Sequence, residues 1–238
     1  MSRALVLLAL FAAGCTDDTD PPWQLDHDRI IAVRATPPRI AAGERALIDA
    51  LIGHKGAPVA EQSPDEAAVV SPASLVGALG RDASGWVVTA PDADALAAAR
   101  VELGLPADAP VPLELGVAYA DGALRATKIV WLGAAAANPA MTDIEIDHAP
   151  ATDAELAITA QADIALSIPL PDERYDVTWL SSCGTMHDFD LPTARLRVEP
   201  DDRAAGQLAL VVRDADGGPA GACGRSTRTD RTRRARVR

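Results

Sequence analysis

Aromatic residues are scarce in this chain: two Tyr, two Phe and four Trp among 238 residues, or 3%. A core with few rings must be built from small aliphatic side chains, and much of the 48% hydrophobic fraction is alanine and valine. The same scarcity leaves few platforms on which a sugar could stack. Lysine is rarer still. Only Lys55 and Lys128 stand against twenty arginines, which with the alanine excess reads as the imprint of a GC-rich genome and not of function. No apolar run approaches the roughly 20 residues that a bilayer-spanning helix needs. Catalytic signatures are missing too. There is no G-x-S-x-G, no H-E-x-x-H, and no Walker or Rossmann glycine pattern. We therefore expect no catalytic residues, no bound metal and no cofactor; the chain reads as a non-enzyme.

Charge is distributed unevenly. The formal net charge is -12, yet Arg225 to Arg238 carries seven arginines against the single acid Asp230. The body is accordingly strongly acidic, which excludes a nucleic-acid partner, since that needs a basic surface. The arginine-rich end reads as a disordered, solvated tail over residues 225–238, with binding to anionic lipid phosphates as its functional alternative.

The strongest positive signal is at the amino terminus. Met1-Ser2-Arg3 supplies one positive charge, Ala4 to Ala13 is unbroken apolar chain, and Gly14 precedes Cys15. A charge, about ten apolar residues and a small residue before the cut make a secretory signal. With cysteine directly after Ala12-Ala13-Gly14, the stretch resembles the bacterial lipobox. That resemblance implies lipidation of Cys15, cleavage between Gly14 and Cys15, and acylation of the new terminus. Several acyl chains anchor stably where one does so marginally. Thr16, standing where an Asp would favour inner-membrane retention, leans the assignment toward the outer membrane. Residues 16 to 27, acidic and holding two prolines, read as a tether between lipid and domain. Domains are then expected at 1–14 (signal), 15–28 (lipidated start and tether), 29–134 and 138–224, with the basic tail beyond.

Three cysteines occur in all. If Cys15 carries lipid, Cys183 and Cys223 are left as the one intramolecular pair, and an exported protein meets an oxidising compartment. A bridge would close a loop of about 41 residues, worth roughly 4 kcal/mol in the chain-entropy account. Two buried thiols are the alternative.

From Ile30 the hydrophobic period is two. Ile31, Val33 and Ala35 alternate with Ala32, Arg34 and Thr36 until Pro37-Pro38. Ala46 to Leu51 reads as a second strand after the Gly43-Glu44 turn. Val111 to Leu132 alternates around Asp121-Gly122, a strong hairpin signal. One helix is expected at Asp92 to Leu103, with Asp at its start and Gly104 past its end. Residues 62 to 84 carry the weakest pattern. After the break at Ala134 to Pro139, strands are expected around Ile144, Leu156, Ile164 to Leu170, Tyr175 to Trp179, Leu196 and Leu208 to Val212. About seven short strands in about 85 residues form the pattern of a β-sandwich.

The stretches YDVTWLSSCGTM, LRVEP and GQLALVVRDADGG together resemble the C-terminal half of bacterial immunoglobulin-like domains. IIAVRATPPRIAAGERALIDAL resembles the opening of similar modules in myxobacterial-type lipoproteins. The resemblance implies an all-β chain of two immunoglobulin-like β-sandwich modules, the first irregular and with a short helical insertion. Cys183 follows Trp179 where antibody-type domains have a cysteine before that tryptophan, so any bridge differs from the usual one.

Other candidates have plain explanations. His187, Asp188 and Asp190 form the best-looking ligand cluster, but a metal wants three or four converging ligands, and no other histidine sits in a partner motif. Asp214-Ala215-Asp216-Gly217 resembles the start of a calcium loop without its downstream acid, and a hairpin turn explains it. Trp179 is expected in the core. The function expected is a membrane-anchored envelope lipoprotein with a structural or protein-interaction role, its partners the membrane and an envelope protein. A carbohydrate- or peptidoglycan-binding lipoprotein using Trp23 or Trp131 is the alternative, and an enzyme with a site near His187 is a more distant one.

Overall fold

The computed structural model describes residues 20–151, 155–159, 162–203, 205–214 and 218–229. The signal region and Cys15 lie outside these residues. What is described is all-β in two immunoglobulin-like sandwiches with one short α-helix.

The first sandwich holds β1 (Arg29–Thr36), β2 (Arg39–Ile40), β3 (Arg45–His54), β4 (Ala57–Gln62), β5 (Glu66–Ser71), β6 (Leu79–Asp82), β7 (Gly85–Thr89), β8 (Val111–Tyr119) and β9 (Leu124–Leu132). One sheet runs β1-β3-β7-β6, with β4 also beside β3; the other runs β2-β9-β8-β5. Pro37-Pro38 explains why one opening segment serves both sheets. Proline donates no ladder hydrogen bond, so β1 stops after Thr36 and the chain crosses to place β2 parallel to the end of β9. Asp121-Gly122 turns the β8–β9 hairpin, with Tyr119 facing Leu124 and positive φ at Ala120, Asp121 and Gly122.

The helix α1 (Ala93–Leu103) has the expected ends. Asp92 accepts from the Ala95 N–H, and Gly104 closes it in the left-handed region at φ 66°. Only Leu96 and Ala99 are buried, so α1 covers one end of the core and does not build it. The weakly patterned stretch after Gln62 becomes β5, a 3-10 helix (Ala73–Ala78) and β6. Glu102 pins that 3-10 helix by accepting from the Ala73 and Ser74 N–H groups.

The second sandwich holds β10 (Glu145–Ile146), β11 (Ala149–Pro150), β12 (Glu155–Thr159), β13 (Ala162–Ser167), β14 (Asp176–Ser181), β15 (Thr185–His187), β16 (Thr193–Val198), β17 (Ala205–Arg213) and β18 (Pro219–Thr229). Its sheets run β11-β10-β13-β16-β15 and β12-β18-β17-β14. Trp179 is 1% exposed, and its indole N–H donates to the Leu191 carbonyl, so the core expectation for it holds. β18 corrects the extent of the basic tail. Arg225 pairs with Gln207 and Glu155, and Arg228 with Ile158, so residues 225–229 are strand; 230–238 lie outside the described residues.

Each sandwich has its own core. Ile40, Ile48, Leu113, Leu115 and Leu132 centre the first; Leu166, Trp179 and Leu196 centre the second. A third cluster joins them: Leu25 and Ile31 from the first part of the chain, Leu180, Ala209 and Val211 from the second.

Candidate functional site

The third cluster is a seam between the modules, and it uses side chains that point away from both cores. Two local features supply them. In β1 the register slips between Ile30 and Ala32. This bulge re-aims the strand: Ile30 packs against the first core, and Ile31 turns outward into the seam. The alternation Ile31-Val33-Ala35 predicts one shared face, and the bulge is why Ile31 leaves it. In β17, Leu208, Leu210 and Val212 face the second core while Ala209 and Val211 face the seam. The unbroken run Leu208 to Val212 was the available signal, because a strand buried on both faces has no polar alternate positions.

Residues 20–27, read from the sequence as tether, are instead built into the seam. Gln24 forms a parallel bridge to Ser181. The Leu25 N–H donates to the Ser181 carbonyl at 3.0 Å, and the Ser181 N–H donates to the Trp23 carbonyl at 2.9 Å. Leu25 is 2% exposed and Trp23 packs against the second core. Acidic, proline-containing composition suggested solvation; one leucine and one tryptophan covering the open edge of β14 outweigh it.

Polar ties cross the seam as well. The Val59 N–H donates to Gln207 Oε1 at 2.8 Å. Arg203 pairs with Asp26 at 2.6 Å. The Gly56 N–H, followed by Arg203, holds the Asp26 carboxyl below its usual range in spite of burial. Asn138, between the modules in sequence, donates to the Ala35 carbonyl at 2.9 Å.

The two sides of the seam differ electrostatically. On one, Arg34 makes a bidentate pair with Asp49 at 2.9 and 2.8 Å and also reaches Glu61 at 3.1 Å. Those carboxylates raise its guanidinium above the usual range. The other side is a cleft of about 490 Å³ between β1 and β9, closed by Arg213 and Pro219. Arg125, Lys128 and Arg213 line it, and no carboxylate does. Lys128 is 7% exposed. Burial pushes its ammonium down to about 8; Asp214 nearby opposes that shift and Arg213 adds to it. Burial also lowers the Arg213 guanidinium, which donates to Thr178 Oγ1 and the Ile31 carbonyl. Arg29, bonded to the carbonyls of Pro22 and Gln24, is lowered by burial and then by Arg213.

Other residues singled out from the sequence lie elsewhere. His187, Asp188 and Asp190 are exposed, and Asp188 faces Arg195 at 3.8 Å. Among the described residues no three His, Cys, Asp or Glu side chains group as metal ligands. Asp214 closes the β17–β18 hairpin, its Oδ1 accepting from the Gly218 N–H at 2.7 Å; residues 215–217 of the loop lie outside the described residues. Trp131 is half-buried on β9. Cys183 is buried, and a Cβ on Gly206 would come within 2.6 Å of its Sγ. Cys223 stands in register with Ala209, and Ala209 with Leu180. That places the two cysteines two strands apart and staggered, on the order of 10 Å or more between Cα atoms, against the roughly 7 Å limit for a bridge. Pairing Cys183 with Cys223 would require β18 to shift along β17.

No family model and no curated protein matches this chain. Among solved structures it is similar to a nucleoside hydrolase-related hypothetical protein from Saccharophagus degradans, at 13% identity and TM-score 0.31, covering 40% of this chain and 26% of that one. The fibronectin(III)-like modules of Clostridium thermocellum CbhA align at 10% identity and TM-score 0.28, over 89% of this chain and 99% of theirs. Tandem Ig repeats of Dlar align at 10% and 0.29, over 85% and 97%. The chain spans about a quarter of the first of these and 41% of protocadherin gamma B2 domains 1–5. The immunoglobulin-like description rests on the sheets themselves.

Proposed function

We propose that this protein is a non-catalytic lipoprotein of the cell envelope in a Gram-negative-type bacterium, of the myxobacterial kind, anchored through Cys15 and acting as a structural or protein-interaction module. The observation that carries the reading is the run Ala4 to Ala13 followed by Gly14-Cys15. The outer membrane is the proposed site, on Thr16. The protein partner is an envelope protein whose identity the fold does not specify, since sandwich folds host many functions.

The seam supports this reading physically. Trp23 and Leu25 are held between the modules, so a lipidated Cys15 would be joined to the folded body by only a short chain. Eight residues separate Cys15 from Trp23, which span at most about 28 Å when extended. Anchored this way, the two modules would sit close to the bilayer as one body and not as beads on a long leash.

Intact mass of the protein extracted from membranes of its host tests the proposal. The expected mature chain begins at Cys15 and carries added acyl mass, and Cys15→Ser leaves the membrane fraction. A chain found unlipidated and unchanged in fractionation by Cys15→Ser overturns it.

A further inference from the structure

The cationic side of the seam is unusual in a chain of net charge -12. Three cations converge on one cleft, Arg29 stands behind Arg213, and the lining holds no carboxylate. Asp214 is the nearest acid that acts on Lys128, and its Oδ1 already accepts from the Gly218 N–H. The positions are fixed by the fold. Lys128 is placed by pairing with Leu115 in the β8–β9 ladder, Arg125 donates to the Gly122 carbonyl, and Arg213 is held by Thr178 and Ile31. Cations set in place by neutral groups keep their field for a ligand, and low-dielectric walls strengthen that field.

The remaining walls are apolar. Ile30, Ala126 and Ile129 line the same cleft, and Ile129 is 41% exposed. The cleft also runs between two strand edges. β2 pairs only with Trp131 and Leu132 of β9, so among the described residues no strand lies beside the remainder of that edge. Backbone N–H groups on such an edge can add to the recognition of an anion.

We propose that this cleft binds an amphipathic organic anion, its phosphate or carboxylate head against Arg125, Lys128 and Arg213 and its alkyl body against Ile30, Ala126 and Ile129. The site is independent of the lipid anchor and involves no bond-making step.

Lysine scarcity makes the test direct. With only Lys55 and Lys128 present, reductive ¹³C-methylation of the full chain in neutral detergent reports Lys128 as one of two side-chain NMR signals. Titration with hexyl phosphate, inorganic phosphate and hexanol separates the contributions. Saturable displacement of the Lys128 signal by hexyl phosphate, with Lys55 unmoved and hexanol inert, is the expected result. Equal response to inorganic phosphate identifies a free anion as sufficient; a stronger response to hexyl phosphate identifies an alkyl-bearing ligand such as a lipid headgroup, and either supports the site. Calorimetry should show binding weakened roughly tenfold by Arg125→Gln and by Ile129→Asp, about one ionic contact each. Both positions are at the surface, and circular dichroism confirms folding of the variants. A Lys128 signal that moves with none of the three, or moves no more than Lys55, overturns the proposal, as does equal affinity in the variants.

Discussion

Arg213 and Ile31 tie the two modules together: the Arg213 Nη2 donates to the Ile31 carbonyl at 3.0 Å across the seam, while Nη1 donates to Thr178 Oγ1. The carbonyl belongs to the bulged residue of β1, so the same slip that sends the Ile31 side chain into the seam accompanies its main-chain contact with Arg213. Removing both bonds with Arg213→Met should cost about 1–3 kcal/mol, the usual range for hydrogen bonds from charged groups. Urea unfolding followed by tryptophan fluorescence should show it. We also expect the single transition of the parent to broaden or split as the modules uncouple; an unchanged midpoint would remove Arg213 from the seam.

Leu25 gives a sharper test of whether the amino-terminal segment belongs to the body. At 2% exposure, Leu25→Ala should cost about 2–4 kcal/mol, as for other buried leucines. Limited proteolysis should then cut near residues 20–28 in the variant and spare them in the parent. A solvated tether would give neither effect.

Lys128 predicts a pH window. Its ammonium is lowered from 10.5 to about 8, chiefly by burial. Between those values the unfolded chain holds a proton that the folded chain has lost, so this group makes stability rise with pH from about 8 to about 10.5. Below that window the cost of the buried charge is felt in full, on the order of 3 kcal/mol. Lys128→Met should therefore raise the melting temperature at pH 7, and the gain should shrink as pH approaches 10.5. Burial raises the Tyr119 hydroxyl and works in the opposite direction; subtracting parent from variant cancels it. A difference that does not vary with pH would contradict the assignment.

Two glycines at similar backbone angles separate strain from collision. Gly43 has φ 78° and open space where a Cβ would go; Gly184 has φ 74° and faces the Arg197 carbonyl, Leu196 and Val198 there. Gly43→Ala should cost about 1 kcal/mol from the left-handed backbone alone. Gly184→Ala should cost roughly 1–3 kcal/mol more, because β16 must move to admit the methyl group. Thermal unfolding of the pair measures the difference.

Local signals were legible where the physics is local. Asp92 and Gly104 bound α1 because a cap needs only its own turn, and Asp121-Gly122 turns β8 into β9 because the hairpin conformation is set within a few residues. β15 and the Arg225 to Thr229 end of β18 were not legible. Three residues of Thr-Met-His carry too little period to read, and an arginine-rich strand looks like solvated chain until β17 and β12 supply its ladder partners. Ile31 was assigned to the wrong face because a bulge is a register event between strands and leaves no mark on the alternation itself.

The sequence alone determined the β period, the small-aliphatic cores, the one helix and the lipobox-like start, since each depends on neighbours a few positions away. Only the tertiary structure decided that Trp23 and Leu25 join the folded body, that Ile31 and Val211 meet, and that Arg125, Lys128 and Arg213 share one cleft. Those residues lie far apart along the chain, and what brings them together is the burial of two outer sheet faces against each other, a relationship that no single strand encodes.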